Sequence, residues 1–344
     1  MAEQLYRYAI IGTGLPSNVP GNTGFAMAYA HYPHFIATGR TELVAIADTN
    51  TAASAHFLEH YSDPAKTYLD YHEMLREEKP EILSICTWPH LHADMAVAAA
   101  EAGVKAIHCE KPMATTWGDC KRMKSAADAN GVLLSFNHQR RHIKLFQEVV
   151  NQVRSGAVGQ LVMLEAEVGD MFDWGTHWLD MMQYYNDETP IEWVIGQVDS
   201  HTPRTIFGAF MENSAISHFK WTNGVRGVLI VGEEAKIGCV HRIIGTKGII
   251  EVTSERKYRT LGNGVGDWKE IEIPQGEKSD LALAMADVVR QLDEPGYVSL
   301  LNVNHVIQHT EIIFATYESS RRRGRVTFPL DVDDNALVDL FCKN

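Results

Sequence analysis

Cysteine is scarce in this chain. Cys86, Cys109, Cys120, Cys239 and Cys342 are the only thiols among 344 residues, and no two have Cys-x-x-Cys spacing. An odd count without ligand spacing argues against a disulfide framework and suits a reducing compartment. No apolar run is long enough for a membrane-spanning helix, which needs about 18 residues or more. The start, Met1-Ala-Glu-Gln, leads into a strand without a signal-peptide pattern, so a cytoplasmic protein is expected. Positive charge is in deficit too: 31 Lys and Arg against 44 Asp and Glu give a net charge of −13. That balance argues against nucleic acid or an anionic membrane as partner, but an anionic cofactor needs only local donors. No Gly-x-Ser-x-Gly occurs, and Ser62 and Lys66 miss the Ser-x-x-Lys nucleophile spacing. Internal repeats and low-complexity linkers are also missing. The basic run Arg321–Arg323 ends a helical pattern, where cations suit the dipole, and reads as a solvated helix end.

What is present is an ordinary globular composition, 45% apolar and 22% charged, long enough for about two domains. Up to about residue 135, strand-like runs alternate with helical ones. Strands are expected at 6–11, 42–47, 81–86, 104–109 and 132–136, with helices at 24–30, 51–60, 71–78, 91–102 and 116–130. Such alternation means βαβ units, a mostly parallel sheet and right-handed crossovers. After a helix at 142–154 the pattern changes. Strand-like runs at 161–168, 191–199, 215–221, 226–231, 237–244, 248–253 and 268–273 are joined largely by short turns, which predicts an antiparallel sheet. Helices are expected at 173–185, 279–292 and 303–322. The reading is α/β: a doubly wound domain at 1–137 and a second domain at 138–344 with a large open sheet.

The candidate chemistry falls at strand ends. Gly12-Thr13-Gly14 follows the first strand, where glycines allow a tight turn and close approach of a pyrophosphate. Asp48 ends the second strand, placed to accept hydrogen bonds from ribose hydroxyls and to repel a 2′-phosphate, which favours NAD over NADP. The loop 15–24 is longer than usual, so the next helix is expected near Gly21–Gly24 with Asn22 or Thr23 as its cap. Thr87-Trp88-Pro89 follows another strand on the nicotinamide side, and His92 reads either as part of that site or as a residue ordering the loop. Glu110-Lys111-Pro112 follows the 104–109 strand. A charged pair there needs a reason, and Lys111 can orient a hydroxyl and stabilise alkoxide charge, or be salt-bridged. Glu110 reads as structural or cofactor-facing. Asp173, His177 and Asp180 have the spacing of one helix side, and a carboxylate beside an imidazole tunes it for proton transfer. The same spacing suits an amphipathic helix or a metal, but no third ligand is evident and no metal is expected. In His138-Gln-Arg140-Arg141-His142 one arginine could bind substrate, and Arg140 is the candidate; capping or salt bridges are the alternative. His31, His34, His56, His60 and His201 lack ligand spacing and read as surface or loop residues.

Taken in order, these segments resemble the glucose–fructose oxidoreductase / inositol dehydrogenase (Gfo/Idh/MocA) family. The resemblance rests on Gly12-Thr-Gly14, Thr87-Trp-Pro-His-Leu-His92, Cys109-Glu-Lys-Pro112, Asp173-x-x-x-His177-x-x-Asp180 and Ile244-Gly-Thr-Lys-Gly248-Ile-Ile-Glu251. It implies a Rossmann domain followed by a domain with an open, mostly antiparallel sheet that commonly forms the oligomer interface. It implies NAD(P)-dependent chemistry on a sugar, cyclitol or related polyol, with Lys111 and His177 as the catalytic pair and Asp173 beside them. Taken together with the residue readings above, Gly12, Thr13, Gly14, Asp48, Thr87, Trp88, His92, Glu110 and Lys111 are expected to face the cofactor, and Lys111, Arg140, Asp173 and His177 the substrate. The partners expected are a small sugar or polyol and further copies of the chain, as a homodimer or homotetramer. The alternatives are a redox-assisted glycosidase on the same scaffold, or a regulator that senses the dinucleotide without turning it over. The long loop 15–24, the inserted Trp88 and the stretch 167–172 depart from the family pattern.

Overall fold

The computed structural model describes residues 5–22, 24–233, 236–262 and 266–341; Thr23 and Cys342 lie outside them. In chain order the strands of the first half are β1 (Tyr6–Ile11), β2 (Thr41–Ala47), β3 (Lys66–Tyr68), β4 (Ile82–Ile85), β5 (Ala106–Cys109) and β6 (Leu133–Phe136). They alternate with helices α1 (Ala28–Ile36), α2 (Thr51–Tyr61), α3 (Tyr71–Glu78), α4 (His92–Glu101) and α5 (Trp117–Asn130). There follow α6 (Lys144–Arg154), β7 (Leu161–Val168), α7 (Gly175–Tyr185), β8 (Ile191–Asp199), β9 (Arg204–Ile206) and β10 (Ala209–Met211). The chain continues with β11 (Ser214–Trp221), β12 (Arg226–Val231), β13 (His241–Gly245), β14 (Gly248–Val252), β15 (Lys257–Gly262) and β16 (Lys269–Glu272). It ends with α8 (Asp280–Asp293), α9 (Val303–Arg322), β17 (Val326–Thr327) and α10 (Ala336–Phe341).

Two compact units form. The first comprises Met1–Thr115, Asp119–Gln139 and Asp280–Val303. Its six strands are all parallel, in the order β3-β2-β1-β4-β5-β6. The order reverses between β1 and β4, which is where a doubly wound sheet opens a crevice at the carboxyl ends of its strands. Continuous apolar strands make the core: Tyr8, Ile10, Ile46 and Ile82 are buried, with Phe35 of α1 and Phe57 of α2 against them. A division at residue 137 assigns 280–303 to the second domain; in the structure this stretch packs in the first unit. The reason is the apolar stripe of α8, where Ala284, Met285, Val288 and Val289 join the Tyr8–Phe35 core. The following segment then pairs with β6, through Phe136 N–H to Leu301 O and a Ser135–Asn302 bridge.

The second unit comprises Thr116–Gly118, Arg140–Ser279 and Asn304–Asn344. Its nine-stranded sheet has the order β16-β15-β14-β13-β7-β12-β11-β8-β17. Most pairs are antiparallel, as the turn-length links predict, but β7 runs parallel to β12. That pair is not adjacent in sequence: β7 inserts between β12 and β13, so its direction is set by the crossover and not by a hairpin. The strand expected at 237–244 begins only at His241, and β3, β9, β10, β15 and β17 were not expected. Register assigns the faces. Leu164, Phe219, Trp221, Leu229, Ile243 and Ile250 are buried on one side, whereas Ile195 and Ile216 on the other are about half exposed. No helix among the described residues is long and apolar enough to cross a membrane.

Candidate active site

In the first unit the crevice at the β1/β4 switch is lined by Gly12, Asp48, Thr49, Leu69, Tyr71 and Thr87, among others. Gly12 has φ +84°, and a Cβ there would lie 2.6 Å from the Thr87 methyl carbon. Only glycine can hold this backbone conformation against its neighbour. Left-handed backbone alone costs a non-glycine residue about 1–2 kcal/mol. Gly12→Ala is therefore expected to weaken NAD binding about ten-fold or more, measured by titrating NAD against tryptophan fluorescence; unchanged affinity would contradict this role for the turn.

Asp48 stands at the end of β2, as predicted, and turns inward. Its Oδ2 accepts from Thr13 N (2.8 Å), Thr13 Oγ1 (3.0 Å) and Gly14 N (3.0 Å), and its Oδ1 from Asn50 N (2.8 Å). The carboxylate thus holds the glycine turn in shape. Thr13 is fully buried and serves the turn through this bond. The helix expected near Gly24 begins at Ala28, after Ala26 at φ +50° has broken the helical path. Met27 precedes it without a side-chain cap, and Asn22 instead donates to Gly24 O, so Asn22 is not the cap.

Thr87 borders the crevice, and Trp88 beside it is about a third exposed. His92 is fully buried. Its Nδ1 lies 3.0 Å from Pro112 O and 3.3 Å from Met113 O, and its Nε2 lies 3.0 Å from Thr87 O. It ties the loop after β4 to the segment after Lys111. Burial pushes its pKa down, against the pull of those carbonyls and of Glu110. Glu110 is buried at the end of β5 and accepts from His31 and Asn137. Lys111 follows, with its backbone N–H on Glu110 Oε2 at 3.2 Å.

In the second unit Asp173 lies in a turn two residues before α7, and His177 in the first turn of α7. The turn is built by an acid that spacing did not flag. Asp170 Oδ1 accepts from Asp173 N (2.8 Å) and Trp174 N (2.9 Å), and its backbone O accepts from Gly175 N. Glu212 accepts from Met171 N and from the Tyr317 hydroxyl at 2.6 Å. Burial raises the pKa of both acids. Asp173 and His177 are themselves almost fully buried. Asp180 is committed elsewhere: it is fully buried and takes a forked ion pair from Arg141, Nη2 to Oδ1 at 2.7 Å and Nε to Oδ1 at 3.0 Å. Arg141 also reaches Glu188 at 2.7 Å. Arg140 takes a different course. Its guanidinium lies over the rings of Trp174 (5.1 Å) and Trp178 (5.2 Å), and 3.5 Å from Glu255.

Beneath α7, His241 stacks edge-on against Trp178 at 4.9 Å, with Nδ1 3.1 Å from the Tyr185 hydroxyl. Burial, then the charge of Arg140, takes its pKa down to about 3. Burial also takes His309 to about 4, although Asp180 pulls it upward. Both fall below the ordinary 6.5, so the unfolded chain binds more protons than the folded one between those values. Their contribution to stability is complete above 6.5 and is lost as pH falls. Each is expected to remove about 1.4 kcal/mol per pH unit well below the unfolded pKa. Urea melts of the native chain and of His241→Gln at pH 7 and pH 5 check this: the native chain should lose more. Equal losses would remove His241 from the account.

Residues 6–138 match the family model described as "Oxidoreductase family, NAD-binding Rossmann fold". That match covers less than half of the chain; over it, the chain is similar to the NAD-binding domain of the Gfo/Idh/MocA oxidoreductases. An inositol 2-dehydrogenase of Salmonella typhimurium (strain LT2) is 36% identical over 124 residues, 36% of this chain and 37% of that protein. A D-glucoside 3-dehydrogenase of Escherichia coli (strain K12) is 26% identical over 204 residues, 54% of this chain and 55% of that protein. The chain thus spans little more than a third to about half the length of these curated relatives. The WlbA dehydrogenase of Bordetella pertussis, solved with NADH and UDP-GlcNAcA, shares the fold over 96% of this chain and 100% of its own, with a TM-score of 0.77 at 22% identity. The residues present fit the dinucleotide. A cradle that a Cβ would fill at Gly12, a carboxylate at the end of β2 and a crevice at the switch point are the features it requires.

Proposed function

We propose that this chain is an NAD-dependent dehydrogenase or reductase acting on a CH–OH group of a sugar, cyclitol or related polyol. The observation that carries the reading is the Asp173–His177 turn and helix, built around buried Asp170, in a chain whose other unit holds the dinucleotide crevice. Ring polyols are named by the relatives: an inositol, a D-glucoside and, in the complexed structure, a nucleotide sugar. When bound, NAD supplies the hydride acceptor. Gly12 and Gly14 would let its pyrophosphate approach the turn that Thr13 and Asp48 brace, and Asp48 would also meet its ribose, with Thr87, Trp88 and Glu110 toward the nicotinamide. His92 would act through the loop it braces. His177 takes the proton of the reacting hydroxyl, Lys111 steadies the oxygen as charge develops, and Asp173 orients His177 or binds a neighbouring hydroxyl. Arg140, set among indoles, would meet the substrate's outer oxygens. A cytoplasmic homodimer or homotetramer formed through the half-exposed Ile195/Ile216 face of the large sheet belongs to the same proposal.

The test is a panel of cyclitols, glycosides and sugar acids with NAD and with NADP, followed by absorbance of the reduced nicotinamide. Reduction by at least one ring polyol, with NAD preferred, is expected. Aglycone release without accumulation of reduced cofactor would replace this reading with redox-assisted elimination. Tight NAD binding without turnover of any member would leave a dinucleotide sensor.

A further inference from the structure

His31 reads from sequence as a surface or loop residue; it is fully buried. It sits on α1, the helix that follows the glycine turn, and its ring meets four residues of the first unit, on β4, on β5 and at their carboxyl ends. Nε2 lies 2.8 Å from Glu110 Oε1. Nδ1 lies 3.2 Å from Ser84 Oγ on β4 and 3.4 Å from Cys86 Sγ. The imidazole ring is 5.0 Å from that of His108 on β5. Ser84 already accepts from the Tyr8 hydroxyl at 2.8 Å, so its own proton is available to His31 Nδ1. The chain of bonds therefore has one direction: Tyr8 to Ser84, Ser84 to His31, His31 Nε2–H to Glu110.

Glu110 is where this chain ends. Oε1 accepts from His31 and from Asn137 Nδ2 at 2.7 Å, and Oε2 accepts from the backbone N–H of Lys111. With both oxygens held, the carboxylate has one rotamer. Burial alone would raise its pKa, but the His31 hydrogen bond, then Asn137 and Lys111, bring it down to about 2. The other ionisable groups around this pair are Cys86 just after β4, His92 on α4, Cys109 on β5 and His34 on α1; Glu110 raises the pKa of His92 and of both thiols.

We propose that His31 is a positioning residue, which locks the Glu110 carboxylate in the rotamer that fixes the Lys111 backbone. The lock joins the helix after the glycine turn to the strand end that carries Lys111. The inference rests on the proposed role of Lys111 but assigns a residue which that reading does not use.

His31→Leu removes the donor and keeps an apolar side chain; His31→Gln restores an N–H at similar reach. A lock predicts that His31→Leu lowers kcat about 10–100-fold while the KM for NAD changes less than about three-fold, because small misplacements of a reacting group cost rate. The acid limb of kcat should move upward in His31→Leu as Glu110 becomes easier to protonate, and His31→Gln should restore most of the rate. In a Glu110→Gln background His31→Leu should add little. Wild-type turnover in His31→Leu, or equal losses in both variants with an unmoved pH profile, would overturn the lock. A second measurement needs no turnover. In imidazole-nitrogen NMR of the wild-type chain without NAD, the His31 Nε2 proton should be slow to exchange, and it should lose that protection in Glu110→Gln. Rapid exchange in the wild type, or protection unchanged by Glu110→Gln, sinks the lock whatever the panel of polyols shows.

Discussion

Turnover of the true substrate is expected to fall by about 10²–10⁴-fold in His177→Ala, the range that a positioned acid–base group contributes. The loss should appear in kcat and kcat/KM together, because the proton moves in the reaction step and not on binding. NAD affinity should be unchanged, since Gly12, Asp48 and Thr87 belong to the other unit. Stopped-flow reduction of NAD beside a cofactor titration separates the two quantities. Near-normal turnover would end the assignment of His177 as proton acceptor, and weakened NAD binding would mean that the substitution had disturbed more than the proton path.

Asp180→Ala is expected to cost about 3–5 kcal/mol of stability, because removing one partner of a buried ion pair leaves the other charge uncompensated. The Arg141 side chain is 1% exposed and that of Asp180 is 0%. Arg141 would keep Glu188 and its place over the Tyr184 ring at 4.9 Å, but lose the fork that holds α7 against the segment after β6. A control lies close by. The Arg154–Asp187 pair has the same 2.7 Å contact with side chains 47% and 65% exposed. Asp187→Ala is expected to cost only about 0–1 kcal/mol, the usual value of an exposed pair. Urea unfolding of both variants gives the comparison, and equal costs would show that burial does not decide the energy here.

The strand ends were legible from sequence because their signal is local. A glycine pair after an apolar run, an aspartate closing the next strand and Glu-Lys-Pro after a third each mark a carboxyl end, and in a doubly wound sheet those ends share one edge. Gly12, Asp48 and Thr87 duly line one crevice. Asp173 and His177 were legible in type but not in setting: Asp173 stands in the turn before α7, which Asp170 shapes, and Asp180 faces Arg141. Asp170 and Glu212 carried no spacing signal. Glu212 reaches Met171 across 41 residues and Tyr317 across 105, so neither bond leaves a local pattern.

Period and punctuation in the sequence alone determined the class of each main element, the parallel order of the first unit and the residue types offered at its strand ends, because these depend on neighbours a few positions apart. Packing decided the rest. The α8 stripe chose the Tyr8–Phe35 core over the unit that precedes it in the chain, β7 slid in parallel beside β12, and His31 found Glu110 across 79 residues. Each of these joins groups far apart in the chain whose partners exist only once the core has closed, and a buried carboxylate or imidazole takes its role from whichever donors that closure brings within reach.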